Sequence, residues 1–405
     1  MNIAMKSRLS LMMFLQYFIW GAWYVTFGTW LATALHFSGQ QIAWAAGTTA
    51  IGAILSPFFI GLIADRFFSS QHVLAAMHAI GAVLLWQTTQ QTTFVTVFAT
   101  LLLYSLCFMP TLALTNSLAF RQMQDTQRQF AQIRAFGTIG WIVAGLIVGL
   151  LGIETVATPL KLAAGASLLM ALYCLTLPPT PPLAKKTQVK AGEIVPKEAL
   201  LFLFRKRSVA VFAIASFLIC IPLQFYYAFT NLFLNETGVQ GAAARMAGGQ
   251  MSELFCLLLI PLFFRRLGVK YMLAVGMLAW AIRYVMFAFG NGAELNWMLW
   301  AGILLHGICY DFFFVVGQIY IDREAPNALR AAAQGMITLI TYGAGMLAGS
   351  WLSGRVVDAY LLTDGRHDWQ SIWMFPAAFS AVVLAFFLFT FSENKRTAAV
   401  AASEA

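Results

Sequence analysis

The chain has 405 residues, of which 60% are hydrophobic, 15% are aromatic and only 10% are charged. A soluble globular domain usually carries about 25% charged residues, so this composition excludes an ordinary water-soluble protein. Apolar runs recur along the whole sequence, and each is long enough for a helix that crosses a bilayer, which takes about 20 residues. The sequence therefore predicts an all-α membrane protein with many transmembrane helices.

Twelve apolar segments can be followed along the chain. Their predicted bounds are 9–33, 42–66, 72–90, 93–120, 131–152, 159–179, 207–234, 243–265, 269–289, 295–321, 328–354 and 370–391. The first segment follows Lys6 and Arg8 in the manner of a signal peptide, but its apolar run is too long for one, so we expect an uncleaved helix. All five cysteines fall inside these segments without metal-ligand spacing, and we expect them to be buried apolar side chains.

A polar stretch rich in proline and lysine separates the sixth and seventh segments. It predicts an N-terminal six-helix bundle at 1–179, a cytosolic linker at 180–206, a C-terminal six-helix bundle at 207–392 and a cytosolic tail at 393–405. The halves resemble each other weakly, because segments 5 and 11 open with IRAFGTIG and LRAAAQG and each carries two glycines four residues apart, which are Gly145 with Gly149 and Gly345 with Gly349. Repeated halves are typical of alternating-access transporters.

The distribution of lysine and arginine predicts the orientation in the membrane. Most of the 25 basic residues lie at the termini or in loops after even-numbered segments, and the opposite side holds Lys161, Arg245, Arg355 and Arg366. Both termini are therefore predicted to face the cytosol. Arg283, near the outer end of segment 9, is interpreted as a peripheral residue that snorkels to the membrane surface. Asp65 is interpreted as a structural acid at a cytosolic helix end.

Motifs along nearly the whole chain carry a family resemblance. They are FLQYFIWGAWYVTFGTWL at 14–31, GLIADRFF at 61–68, MPTLALTNSLAF at 109–120, IRAFGTIGWI at 133–142, SELFCLLLIPLFFRRLGVK at 252–270 and YDFFF at 310–314. GLIADRFF resembles the short loop between spans 2 and 3 of the major facilitator superfamily. The other motifs resemble the bacterial nucleoside:proton symporter family of that superfamily. The resemblance implies the major facilitator fold, with twelve transmembrane helices in two six-helix halves, and proton-coupled import of nucleosides by alternating access.

Two carboxylates lie well inside predicted spans, Glu253 in the eighth and Asp311 in the tenth, whereas Asp65 lies at the cytosolic end of the second. An acid at the centre of a membrane helix costs about 2.5–3.5 kcal/mol on insertion scales, so it usually faces a cavity and has a function. Because burial favours the protonated form of an acid, either group could take up a proton on one side and release it on the other. The sequence leaves open which one carries the proton. The structural alternatives are an ion pair between Asp311 and an arginine, and a helix–helix contact for Glu253.

Further polar and aromatic residues recur at helical spacing. The resemblance implies that Arg134, Thr138 and Trp141 form one stripe facing the substrate, and that Gln250 and Glu253 line the same cavity. The alternatives are headgroup binding for Arg134 and ordinary packing for the aromatic rings and His306. The predicted substrate-binding set is Gln16, Trp20, Asn116, Arg134, Thr138, Trp141, Gln224, Tyr227, Gln250, Glu253, His306 and Asp311, of which Asp311 and Glu253 are also the proton-coupling candidates.

Two residues depart from the family pattern. Tyr227 stands where the resemblance implies asparagine, and His306 stands where relatives can carry tyrosine. These departures keep open a second function, proton-coupled uptake of a sugar or another small polar metabolite.

The sequence also lacks the motifs of other function classes. It has no GxxxxGK[ST] phosphate loop, HExxH, GxSxG or paired CxxC motif. We therefore expect a transporter rather than an enzyme, with no cofactor, no metal and no nucleic-acid partner. Its expected partners are the nucleoside, protons and the lipid bilayer, and the resemblance implies a monomer.

Overall fold

The structure is a computed structural model that describes residues 3–63, 68–123, 126–181, 197–326 and 329–392. These residues form helices and no β-strand, apart from one isolated bridge between Leu361 and His367. The predicted all-α class is confirmed. Asp65, most of the predicted linker and the C-terminal tail lie outside the described residues.

The described helices follow the apolar segments of the sequence. Their bounds are α1 (Ile3–Trp23), α2 (Phe27–Leu35), α3 (Gly39–Ile63), α4 (Ser70–Thr88), α5 (Phe94–Arg121), α6 (Thr126–Leu150), α7 (Thr158–Cys174), α8 (Lys197–Arg205), α9 (Arg207–Glu236), α10 (Ala242–Phe289), α11 (Asn296–Leu304), α12 (His306–Tyr310), α13 (Val316–Glu324), α14 (Arg330–Thr338), α15 (Met346–Ala359) and α16 (Trp369–Thr390). Two π-helical segments, Asp311–Val315 and Leu339–Gly345, join α12 to α13 and α14 to α15.

Seven helical stretches of the described residues are long and apolar enough to cross a membrane. They are Phe94–Arg121, Gln129–Leu150, Arg207–Glu236, Ala242–Phe289, Asn296–Glu324, Ala332–Ala359 and Trp369–Thr390. One of them, α10, takes in two of the twelve predicted segments, 243–265 and 269–289. These segments meet at Gly268, whose φ of 66° interrupts the helical path in a conformation that glycine adopts readily.

The chain divides into two compact units. Unit 1 contains the described residues of Met1–Ile194, Tyr227–Asn235 and Gln240–Ala247, and unit 2 contains those of Val195–Tyr226, Glu236–Val239 and Gly248–Ala405. Helix α9 therefore changes unit between Tyr226 and Tyr227. In unit 1, α1 packs on α6 and α7, α4 packs on α5 and α7, and α3 packs on α5.

The paired glycines of the two related segments lie at close helix contacts. In unit 1, a Cβ atom added at Gly145 would lie 3.3 Å from the carbonyl oxygen of Ala243. In unit 2, a Cβ atom added at Gly345 would lie 2.8 Å from the carbonyl oxygen of Phe217. The 2.8 Å distance leaves no room for a side chain at Gly345, and the 3.3 Å distance at Gly145 is a tight contact. These small residues therefore let the helices approach closely.

Candidate functional site

A buried polar cluster in unit 2 brings together His306, Gln250 and Glu253 with Arg283. His306 begins α12 and is only 2% exposed. Its Nδ1 atom lies 3.1 Å from Nη1 of Arg283. On the other side of the ring, Nε2 lies 3.4 Å from Nε2 of Gln250 and 3.9 Å from Oε2 of Glu253. The imidazole therefore separates a buried cation from a carboxylate.

Arg283 corrects one interpretation of the sequence. Its side chain is 0% exposed, whereas a snorkelling arginine would extend to the membrane surface, so that interpretation is wrong. The guanidinium carbon lies 3.6 Å from the ring centroid of Tyr226, which is a cation–π contact. Within the described part of the chain, Nε and Nη2 have no hydrogen-bond partner. The aromatic and imidazole contacts in the interior of unit 2 hold this side chain away from the lipid.

Asp311 is the first residue of the π-helical segment Asp311–Val315 and is 1% exposed. Its Oδ2 atom has no hydrogen-bond partner among the described residues, and no described lysine or arginine lies within ion-pair distance of it. The alternative of a fixed ion pair with an arginine is therefore not observed in the described residues. Short π-helical segments inside α-helices are frequent at functional sites, because they shift side chains out of the regular register.

Gln224 lies on α9 at the edge of unit 2 and is 1% exposed. Neither atom of its amide has a hydrogen-bond partner in the described residues. A Cβ atom added at Gly349 would lie 2.7 Å from the Cβ atom of Gln224. A buried amide with both a donor and an acceptor unused is costly unless a ligand or water completes it.

Unit 1 carries an aromatic cluster built around Trp20. Its ring centroid lies 5.4 Å from that of Trp141 and 5.6 Å from that of Tyr24. Tyr24 in turn lies 5.6 Å from Tyr227. The guanidinium carbon of Arg134 lies 3.9 Å from the ring centroid of Tyr17, one turn before Trp20. Flat rings with nearby polar groups are suited to stacking a planar heterocycle.

The remaining predicted residues of unit 1 differ in their surroundings. Thr138 is half-buried on α6, one turn from Arg134. Asn116 is half-buried on α5, and its Oδ1 has no partner in the described residues. Gln16 is fully buried, and its amide donates to Thr111 and contacts Nε2 of His78. Both ends of the Gln16 amide are therefore occupied by Thr111 and His78, and the amide makes no hydrogen bond to the described residues of the aromatic cluster.

Arg283 and a pair of tyrosines lie outside the substrate-binding set predicted from the sequence. The hydroxyl of Tyr310, next to Asp311, forms a hydrogen bond with the hydroxyl of Tyr342. Nothing local in the sequence marks this pair, because the two residues lie on different helices. Arg283 did carry a signal: an arginine inside an apolar helix is a functional candidate by default.

Comparisons with known proteins agree along the whole chain. The family model described as "Nucleoside H+ symporter" matches residues 1–396. The putative nucleoside transporter YegT of Escherichia coli (strain K12) is 42% identical over 402 residues, which cover 96% of this chain and 94% of the relative. The xanthosine permease of the same strain is 34% identical over 409 residues, which cover 97% of each chain.

A solved structure extends this similarity to the fold. The crystal structure of nucleoside transporter NupG matches with a TM-score of 0.88 at 33% identity, and the match covers 97% of this chain and 100% of that chain. The chain therefore belongs to the nucleoside H+ symporter family, and the predictions of proton-coupled nucleoside import and of a transporter rather than an enzyme are confirmed.

Proposed function

We propose that this chain imports nucleosides with protons across the bacterial inner membrane as two six-helix halves that work by alternating access. In this proposal the chain acts as a monomer in the bilayer, with both termini in the cytosol. The observation that carries the proposal is Asp311, an acid that is 1% exposed and has no described cation to neutralise it. A buried carboxylate needs a cation or a proton, so we assign proton binding to Asp311, with Glu253 as the second candidate.

Each unit holds its own set of candidate nucleoside-binding groups, and this proposal assigns a role to each set. The aromatic cluster of Trp20, Trp141 and Tyr227 stacks the planar base, because ring faces bind flat heterocycles with little regard to their substituents. Arg134, Thr138 and Asn116 supply polar contacts from unit 1. Unit 2 supplies the amides of Gln224 and Gln250 and the carboxylate of Glu253, which read the donors and acceptors of the base and the ribose. Gln16 supports the wall behind Trp20.

Uptake of radiolabelled uridine by cells that express the protein tests the proposal. We expect accumulation above the external concentration at an acidic external pH, less accumulation at a neutral pH, and none after addition of a protonophore. Unlabelled nucleosides should compete for uptake and sugars should not. Competition by sugars alone would replace the proposed substrate by the second candidate, a sugar or another small polar metabolite, which the departures at Tyr227 and His306 motivate. Accumulation that survives the protonophore would exclude proton coupling.

A further inference from the structure

Arg283 is a buried cation that lies outside the predicted substrate-binding set. Its side chain is 0% exposed, and no described carboxylate lies within ion-pair distance of it. Burying an unpaired charge is costly, and contacts with Tyr226, Phe287 and His306 offset part of that cost. The guanidinium carbon lies 3.6 Å from the centroid of Tyr226, and Nη1 lies 3.1 Å from Nδ1 of His306. The second contact has a chemical consequence for the histidine.

Arginine is only a hydrogen-bond donor, because its guanidinium has no lone pair to accept with. The 3.1 Å contact is therefore a hydrogen bond only when Nδ1 of His306 carries no proton. A doubly protonated ring would set a donor against a donor and a positive charge against a positive charge. Arg283 thus selects the neutral imidazole that carries its single proton on Nε2.

The proton on Nε2 of His306 faces two residues of the predicted substrate-binding set. Nε2 of His306 lies 3.9 Å from Oε2 of Glu253 and 3.4 Å from the Gln250 amide. The Gln250 nitrogen faces the ring in this structure. An Nε2–H donor favours a half-turn of that amide, which brings its oxygen toward the ring without changing the space that the side chain fills. The charge of Arg283 on one side of the ring also polarises the N–H bond on the other side.

We propose that Arg283 is a positioning residue that acts through His306. It fixes Nε2 of His306 as a hydrogen-bond donor beside the acceptor Glu253, so that the substrate meets an adjacent donor and acceptor in unit 2. A nucleoside offers the complementary pair as a hydroxyl or carbonyl oxygen next to an O–H or N–H group. This inference rests on the proposed function, because it assigns the donor–acceptor pair to nucleoside binding.

The protonation of His306 can be measured directly on the unaltered protein. The chain has five histidines, so a ¹⁵N NMR spectrum of histidine-labelled protein in detergent is compared with that of His306→Phe to assign the His306 signals. We expect a neutral ring with the proton on Nε2. A proton on Nδ1, or a doubly protonated ring with a single positive charge, would overturn the inference. This result needs no variant of Arg283 to fold.

A double-mutant cycle tests whether the effect reaches the substrate. We expect Arg283→Met to raise the KM for uridine about tenfold with Vmax per folded transporter nearly unchanged, since one charge-polarised hydrogen bond is lost. In the His306→Phe background the same substitution should change KM by less than about twofold, because residues that act in series are not additive. Arg283→Lys keeps a donor but loses the planar stack on Tyr226, so it should restore only part of the affinity.

Arg355 provides the matched control, because it lies exposed on α15 and stacks on Trp351 at 4.6 Å. Arg355→Met should leave KM unchanged. An Arg283→Met protein that is less stable but has the original KM would show a purely structural role and would refute the inference. Absence of nucleoside uptake by the unaltered protein would instead refute the proposed function, so the two failures are distinguishable.

Discussion

Two buried histidines, one in each unit, have opposite surroundings. His78 in unit 1 has neutral partners at both ring nitrogens, with Nδ1 3.2 Å from the hydroxyl of Ser167 and Nε2 3.0 Å from the amide oxygen of Gln16. His306 in unit 2 has the Arg283 cation at one nitrogen and the Glu253 carboxylate beyond the other. Both side chains are equally hidden, so burial alone does not separate them.

The difference lies in which polar atoms are left without a partner. Around His78 the hydrogen bonds continue from Gln16 to Thr111 and from Ser167 back to the His78 carbonyl oxygen. Around His306, the described residues leave Oδ2 of Asp311 and two nitrogens of Arg283 unpartnered. A satisfied network stabilises a fold, whereas groups held in place without partners are typical of sites that bind a ligand or a proton.

The largest expected effect is the loss of proton-driven accumulation in Asp311→Asn. The amide keeps the size of the side chain but cannot gain or lose a proton. We predict that the variant still exchanges nucleoside across the membrane but no longer concentrates it, as measured by uridine uptake against counterflow in vesicles.

Asp364→Asn is the control for this prediction. Asp364 is an exposed acid that forms an ion pair with Arg366 at 2.7 Å. The substitution should leave accumulation unchanged. If accumulation survives in both Asp311→Asn and Glu253→Gln, then neither intramembrane acid couples the proton.

A loss of stability without a loss of affinity is expected for His78→Ala. The substitution removes the ring that contacts Ser167 and Gln16, and it leaves a cavity. Together these losses cost about 2–4 kcal/mol of stability. Thermal unfolding in detergent measures the stability, and uridine uptake measures the KM. The KM should stay within about twofold, which corresponds to less than about 0.5 kcal/mol of binding free energy. The exposed residue His36 is the control, and His36→Asn should change stability by less than about 0.5 kcal/mol. A raised KM in His78→Ala would show that this network belongs to the functional site.

Much of the fold was predictable because it depends on local patterns. Apolar runs of bilayer length predicted the all-α class, and the glycines shared by segments 5 and 11 lie at close helix contacts. Breaks inside the runs were not predictable. The first predicted segment is two helices, α1 and α2, and the π-helical start at Asp311 has no sequence signature in a run of phenylalanines.

Less of the candidate site could be predicted, because its contacts join residues far apart in the chain. Helical spacing grouped Gln250 with Glu253 and Arg134 with Trp141 correctly on single helices. It could not reveal that Gln16 pairs with His78, 62 residues away, or that Arg283 contacts His306, 23 residues away. The place of Arg283 near the outer end of segment 9 led to its interpretation as a snorkelling residue. In the structure Arg283 instead packs against Tyr226 and is fully buried.

Glu154 gives the smallest expected effect and contrasts with Asp311 as a second buried acid. It is 3% exposed between α6 and α7, and its carboxylate accepts hydrogen bonds from Asn231, from Asn235 at 2.7 Å and from the backbone of Ala243 at 2.7 Å. Burial nevertheless raises the pKa of Glu154 above its ordinary value, although these hydrogen bonds lower it.

Because the folded pKa of Glu154 is raised, folding favours the protonated form. The stabilisation is complete below the ordinary pKa of a glutamate and is lost as the pH rises through the folded value. Glu154→Gln cannot ionise, so we predict that its melting temperature gains on that of the unaltered protein between acidic and neutral pH, by about 1–2 °C in a chain of this size. Glu294→Gln, at an exposed loop position, is the control and should follow the unaltered protein at every pH. A gap between Glu154→Gln and the unaltered protein that stays constant with pH would show that folding leaves the pKa of Glu154 unchanged, and would contradict the prediction.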